Sequence, residues 1–449
     1  MQVRFLPGEP PAGRVAQMDT LRTATMSNET ESVIEQNTSP VAIVLAAGEG
    51  TRMKSNRAKV LHTIGGHTLL HHVCEAVEAI CPSQTIVVVG FQSDVVGSHA
   101  SEVSPACRVA VQATLSGPVT AVQTGLDALT DVDKSAEVVV VFADMPMLSG
   151  ATLQAMVQAH RRDGDAATVL AISGQDDADP GAYVFDFSSL TDALAQLPDQ
   201  PSETTFNELL NVTPGHVGAF YTEDMWQGSG VDDRVQLAKL GAEYNRRQVN
   251  RWMRAGVTVI DPSSTWIEAD VDLAPDVTLL PGTMLTGATS VAQGATIGPE
   301  TTVKDSEVGE GATITRSQVE LSVIGAGVSV GPYARLRPGT QIGELGVVGT
   351  FVETKNVVMG ARSRIGHLTY CGDATLGDAV DMGAGVIFAN WDATNRARTE
   401  VGASAIIGAG ALLIPPTTVA EDSVVQPGVI VHASGEIDTA KRVLKEDDK

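Results

Sequence analysis

Aromatic residues are scarce in this 449-residue chain: 4 Trp, 5 Tyr and 9 Phe make up 4% of it. So few rings, set against 44 glycines, suit many short strands joined by tight turns better than a helical bundle. Basic residues are also short, 30 against 54 acidic, leaving a net charge of −24. Such a surface repels a phosphate-rich polymer and excludes nucleic acid as a partner. Small phosphates remain possible ligands wherever basic side chains and backbone N–H groups converge. The four cysteines, Cys74, Cys81, Cys107 and Cys371, have neither CxxC spacing nor the density of a disulfide framework. They read as reduced thiols and point to the cytoplasm. No stretch reaches the roughly 18 apolar residues of a membrane span. Residues 1–39, with the polar run SNETESVIEQNTS, hold no signal-peptide core and are expected to be a disordered extension, with Met26 an alternative start.

The length suits two domains, and the hydrophobic pattern changes between them. From Val41 apolar runs alternate with helical stretches: VAIVLAAG, HTLLHHVCEAVEAI, TIVVVG, TAVQTGLDAL, EVVVVFAD and ATLQAMVQAHRR. Continuous apolar strands between helices predict a Rossmann-like α/β domain over 40–228, its parallel sheet covered on both faces. Residues 175–230 are less legible. DDRVQLAKLGAEYNRRQVNRWMRAG then has helical spacing and no proline, which predicts a helical linker arm over 229–261.

Beyond it the period is six. Ile324, Val330, Leu336, Ile342 and Val348 recur at that spacing, as do Val401, Ile407, Leu413, Val419, Val425 and Val431. No helix has this repeat. It predicts a left-handed parallel β-helix of hexapeptide repeats, clearest from about Val277, within a domain spanning 262–434, with a charged tail at 435–449. Each aliphatic side chain points into a prism and stacks on its equivalents, at about 18 residues per coil and some eight or nine coils. The period breaks at ANWDATNRARTE, 389–400, predicting an extruded loop.

Two motif sets carry chemistry. LAAGEGTRM at 45–53 is a strand ending in a glycine-rich turn, which offers backbone N–H groups to a phosphate, with Arg52 and Lys59 adding positive charge. LAAGEGTRMKSNRAKVLHTIGG resembles the signature of sugar-1-phosphate nucleotidyltransferases. Together with ARLRPG, FVETKN, GHLTYCGDA, GAG and ANWD in the repeat, the chain over about 41–434 resembles a bacterial bifunctional family. That family combines N-acetylglucosamine-1-phosphate uridyltransferase with glucosamine-1-phosphate N-acetyltransferase.

The resemblance implies two reactions. The repeat half would move an acetyl group from acetyl-CoA to glucosamine 1-phosphate. The first half would join N-acetylglucosamine 1-phosphate to UMP from UTP with Mg2+, giving UDP-N-acetylglucosamine for cell-wall precursors. It further implies a homotrimer with active sites between subunits. Family positions for UTP map onto Leu45, Ala46, Ala47, Gly48, Arg52, Lys59 and Gln112. The metal carboxylates map onto Asp144 and, in GVDDR, Asp232, where the family has asparagine. In the repeat half the general base maps onto His367. The sugar-phosphate ligands map onto Arg337, Lys355, Tyr370 and Asp381 (asparagine in the family), and the acetyl-CoA region onto Ala384, Asn390, Trp391, Ala409 and Pro427. Glu353, two residues before Lys355 on one strand face, is expected to orient the imidazole.

Several family features are missing. Ala58 replaces the proline before Lys59, GPVT at 117–120 replaces Gly-Thr-Gly-His, and the loops that hold the N-acetyl sugar have no counterpart. VLAISGQ runs almost directly into DPGAYVFDF, as though a hairpin were deleted. Lost hydrogen-bond partners for the sugar predict a weakened uridyl half. Two alternatives follow: a catalytically degraded partner protein, or an acyltransferase for another amino sugar.

Overall fold

The computed structural model describes residues 39–174, 181–197, 205–391 and 396–431. The charged tail, and the N-terminal extension up to residue 38, lie outside them. Val41–Ala46, Gln84–Val89 and Glu137–Phe142 are Val/Ile-rich strands whose side chains are nearly all buried, because helices pack on both faces of their sheet. One apolar layer holds Val44, Val87 and Val139 with Leu70 and Val73 of helix α1 (Leu69–Glu78). The other holds Ile43, Ile86 and Val140 with Val119 and Val122 of a helix over Pro118–Asp127.

Among the described residues the sheet has seven strands in the order Arg108–Val111, Gln84–Val89, Val41–Ala46, Glu137–Phe142, Ala182–Asp186, Ala167–Ile172, Val217–Thr222. It is not wholly parallel, as the sequence suggested. Ala182–Asp186 runs antiparallel to both neighbours. The link from Ile172 to Ala182 is too short for a crossover helix, so the chain turns straight back. The chain leaves Val41–Ala46 toward one edge and later returns on the other side as Glu137–Phe142. The crevice at the carboxyl ends of those two strands is therefore the topological switch point.

A helix over Arg234–Arg254 joins the two halves. Its N-cap Asp233 accepts from the backbone N–H groups of Val235 and Gln236. Leu240 packs with Met53 and Ile64 of the first half, whereas Val249 and Trp252 belong to the core of the second. Asn245 donates to Thr265 O at 2.8 Å and accepts from Ile267 N at 3.0 Å. The helix thereby caps the open end of the solenoid.

The second half is the left-handed parallel β-helix. One ten-stranded sheet begins at Thr258–Val259 and ends at Val424–Val425, giving ten coils among the described residues. The first begins at Thr258, ahead of residue 262 and of Val277, where the period of six is not yet regular. Every period residue named above is buried, from 0% exposure at Ile407 to 6% at Val431. At one edge Tyr333, Phe351 and Leu368 follow one another in successive coils with φ of 60°, 57° and 61°, their side chains exposed. The rings of Tyr333 and Phe351 stack at 5.3 Å. Gly385, Gly410 and Gly428 continue that edge with φ of 68°, 70° and 70°. At the break, Tyr370 pairs with Ile387 and pairing resumes at Ala374 with Thr399. Trp391 bridges Arg396; the tip between them lies outside the described residues.

Candidate functional site

In the first half the turn after Val41–Ala46 and the segment after Glu137–Phe142 face each other across the switch point. A Cβ on Gly50 would lie 2.5 Å from that of Lys59; glycine there lets the lysine stem pass close to the turn. Lys59 Nζ bonds Asp144 Oδ2 and lies 3.6 Å from Asp232 Oδ1, which Arg52 approaches at 2.7 Å. Two cations and two carboxylates, from three distant parts of the chain, thus meet at one point. Val231 N donates to Asp144 O at 3.0 Å, fixing one acidic segment against the other. Ala58, where the family has proline, donates its N–H to Gln92 Oε1 at 3.0 Å, a bond proline cannot make.

Two clefts adjoin at Asp144. One, of about 350 Å3, is walled by Leu45, Ala47, Gly48, Lys59 and Gln112. Ala46 is buried within its strand, and Gln112 donates to Gly117 O at 3.2 Å. The other, of about 520 Å3, is walled by Arg52, Asp144, Asp232, Trp226, Gln236 and Lys239. The last three were not singled out in the sequence, where Lys239 reads as an ordinary solvated helix charge. Arg247 clamps Asp224 with two 2.8 Å bonds, and Asp224 Oδ1 accepts from Trp226 N at 3.2 Å. That guanidinium holds the Asp224 carboxyl below the usual range.

In the second half the candidates flank one prism edge. His367 is exposed and sits just past the strand Arg364–Ile365. Ala384, Ala409 and Pro427 occupy the same edge one, two and three coils later, as the ladder Gly385 N to His367 O, Gly410 N to Ala384 O and Gly428 N to Ala409 O records. Arg337, Lys355, Tyr370 and Asn390 lie on the face that follows the edge. Asp381 lies on the face that precedes it, paired in register with Arg364, and so stands apart from them.

The expected link from Glu353 to His367 is not what the chain makes. Glu353 Oε1 accepts from Arg337 Nη1 at 2.9 Å, because the strand holding it pairs with Arg335–Leu336 one coil earlier. Lys355 is partly buried and forms no ion pair among the described residues. Gly372 gives Tyr370 its place: a Cβ there would lie 2.5 Å from the tyrosine oxygen and 3.0 Å from Asn390 Nδ2. Asn390 is buried and bonds Asp373, which also accepts from Asn356 at 2.7 Å. Arg398 donates to Ala374 O at 2.7 Å and Thr375 Oγ1 at 2.8 Å. Asp373 and Arg398 escaped the sequence reading; only the coil spacing, which stacks 356, 373 and 390, would have found the former. Trp391 is 61% exposed.

The MobA-like NTP transferase domain family matches residues 42–213. A bifunctional protein GlmU of Pseudarthrobacter chlorophenolicus is 41% identical over 439 residues, covering 89% of each chain. This chain belongs to the bifunctional GlmU family. The GlmU of Kineococcus radiotolerans is 41% identical over 87% of each chain, and that of Cutibacterium acnes 42% identical over 76% of this chain and 92% of its own. Membership of the GlmU family therefore spans both halves, the crevice at Asp144 and the edge at His367 alike.

Proposed function

We propose that this enzyme makes UDP-N-acetylglucosamine by the two reactions of its family, acetyl transfer at the His367 edge and uridyl transfer in the Asp144 crevice. In the first, the amine of glucosamine 1-phosphate attacks the thioester carbonyl of acetyl-CoA and the C–S bond breaks. The amine proton passes to the His367 imidazole, the side-chain type that most often takes a proton in such a step. Lys355 and Arg337 bind the phosphate; Tyr370, seated over Gly372, meets a sugar hydroxyl; Asn390, its amide nitrogen engaged by Asp373, directs its oxygen to the amine. His367 carries this reading: an exposed imidazole on the edge that these groups flank.

In the second reaction the phosphate oxygen of N-acetylglucosamine 1-phosphate attacks the α-phosphorus of UTP, and the bond to pyrophosphate breaks. The turn after Val41–Ala46 and Gln112 hold the nucleotide, and Lys59 and Arg52 offset developing charge. The hard carboxylate oxygens of Asp144 and Asp232 suit Mg2+, which would neutralise phosphate charge and align the reacting oxygens. The second cleft is the place for the sugar.

We further propose a homotrimer, supported by the exposed apolar edge and by candidates that lie on both faces beside it, and a cytoplasmic location, supported by four unpaired cysteines. Among the described residues, no helix is long and apolar enough to cross a membrane. The test is a pair of assays on the purified chain: acetyl-CoA with glucosamine 1-phosphate, and UTP with N-acetylglucosamine 1-phosphate and Mg2+. Turnover in both is expected; silence in both favours a binding partner, and acetylation only of a different amino sugar would redirect the substrate. A monomeric mass by light scattering would remove the trimer.

A further inference from the structure

Away from both sites, His67, His71 and Glu75 gather on the first half beside the solenoid. His71 and Glu75 are four residues apart on α1 and share a face. His67, in the short strand just before α1, stacks its ring on His71 with centroids 3.8 Å apart and planes inclined by 17°. One donor atom from each of the three residues lies within 4.8 Å of the others.

The tautomer of His67 is set from outside the trio. Its Nε2 lies 3.0 and 2.9 Å from the two carboxylate oxygens of Asp270, so Nε2 carries the proton and donates it there. In the neutral ring Nδ1 then holds the lone pair, and that atom is buried without a hydrogen-bond partner. A buried acceptor with nothing to accept is costly and calls for an explanation. Carboxylate, imidazole and a free second nitrogen in sequence form the arrangement by which proteins orient a metal-binding histidine.

We propose that His67 Nδ1, a ring nitrogen of His71 and the Glu75 carboxylate form a site for a divalent transition metal of the zinc class, with water in the fourth position. Two imidazoles and one carboxylate suit Zn2+ or Co2+ and are too nitrogen-rich for Mg2+, which separates this site from the all-oxygen pair at Asp144. Bonds of about 2.0–2.1 Å put tetrahedral donors about 3.4 Å apart, a contraction within reach of side-chain rotation in a partly exposed trio. Asp270 belongs to the first coil of the solenoid, whose Ala269 N donates to Gly65 O at 2.9 Å. An ion here would tie the two halves together through His67.

The test uses the full chain, free of any affinity tag, titrated with Co2+ and followed by visible absorption and calorimetry, with thermal unfolding in Zn2+ as a second reading. One equivalent with a tetrahedral spectrum, and a higher melting temperature with metal, is expected for the wild type and for Asp144→Asn. His71→Ala and Glu75→Gln, both on the helix surface, should each lose stoichiometric binding and the thermal shift. Asp270→Asn should weaken binding by roughly 10–100-fold. No saturable binding by the wild type, equal binding by His71→Ala, or a cobalt signal lost in Asp144→Asn would each overturn the site and leave the stacked histidines as packing alone.

Discussion

The two candidate sites of one chain are assembled in opposite ways. In the crevice, Arg52, Lys59, Asp144 and Asp232 come from turns and loops up to 180 positions apart in sequence, and the sheet's strand order brings them together. On the prism edge, neighbours are residues 16–18 apart, or about 25 across the extruded segment, and the regular pairing of coils sets each beside the next. A loop-built site tolerates deletion at one wall while another wall holds. A register-built site has no slack, because every candidate rests on the coil above and below.

His367→Ala separates the halves most sharply. Acetyl transfer should fall by about 10²–10⁴-fold, with uridyl transfer and the melting temperature unchanged because the side chain is exposed; a lowered melting point with a normal rate would make His367 a packing residue. Asp144→Asn should reduce Mg2+-dependent pyrophosphate release by roughly a hundredfold and leave acetylation alone; loss of both activities would show that the halves do not act separately. Next comes Gly372→Ala, the test of slack. Its Cβ would displace the Tyr370 hydroxyl, and we expect about a tenfold rise in KM for glucosamine 1-phosphate, read by steady-state kinetics; an unchanged KM would show that the edge gives more than its register suggests.

How far these sites could be read from sequence follows the same division. The period of six exposed the prism core residue by residue, since each inward position repeats. The antiparallel strand Ala182–Asp186 was not legible, because a strand buried on both faces looks the same in either direction. Glu353 was misassigned for an instructive reason. Counting along its strand gave Lys355 as a neighbour and His367 as a partner, whereas the contact that forms runs to Arg337, 16 residues back. In a solenoid the informative neighbour lies one coil away. The cluster around Lys59 and Asp144 was visible only as separate motifs; its ion pairs depend on tertiary geometry, as does the wall built from Trp226 and Lys239.

The smallest effect expected concerns thiols. Burial pushes the Cys74 thiol up to about 12 and that of Cys371, inside the prism, higher still. Neither forms appreciable thiolate at neutral pH. Native protein treated with iodoacetamide should carry label on exposed Cys81 and none on Cys74 or Cys371 by mass spectrometry. Labelling of Cys74 alone would indicate that the first half opens more readily than the prism.

The ladder from His367 through Ala384 and Ala409 to Pro427 also acts as a measure of length. Parallel strands stack at about 4.8 Å, so these positions mark off roughly 5, 10 and 14 Å from the imidazole along a straight edge. On the proposed reading, an extended thioester arm laid there is gauged as well as bound, its reactive end arriving at His367 only when its far end is seated three coils away. Glycine at 385, 410 and 428 keeps that track clear, while Tyr333, Phe351 and Leu368 fill the edge on the other side. Inserting one whole coil between Ala384 and Ala409 would keep the stacking pattern of the core and still shift the gauge by about 5 Å.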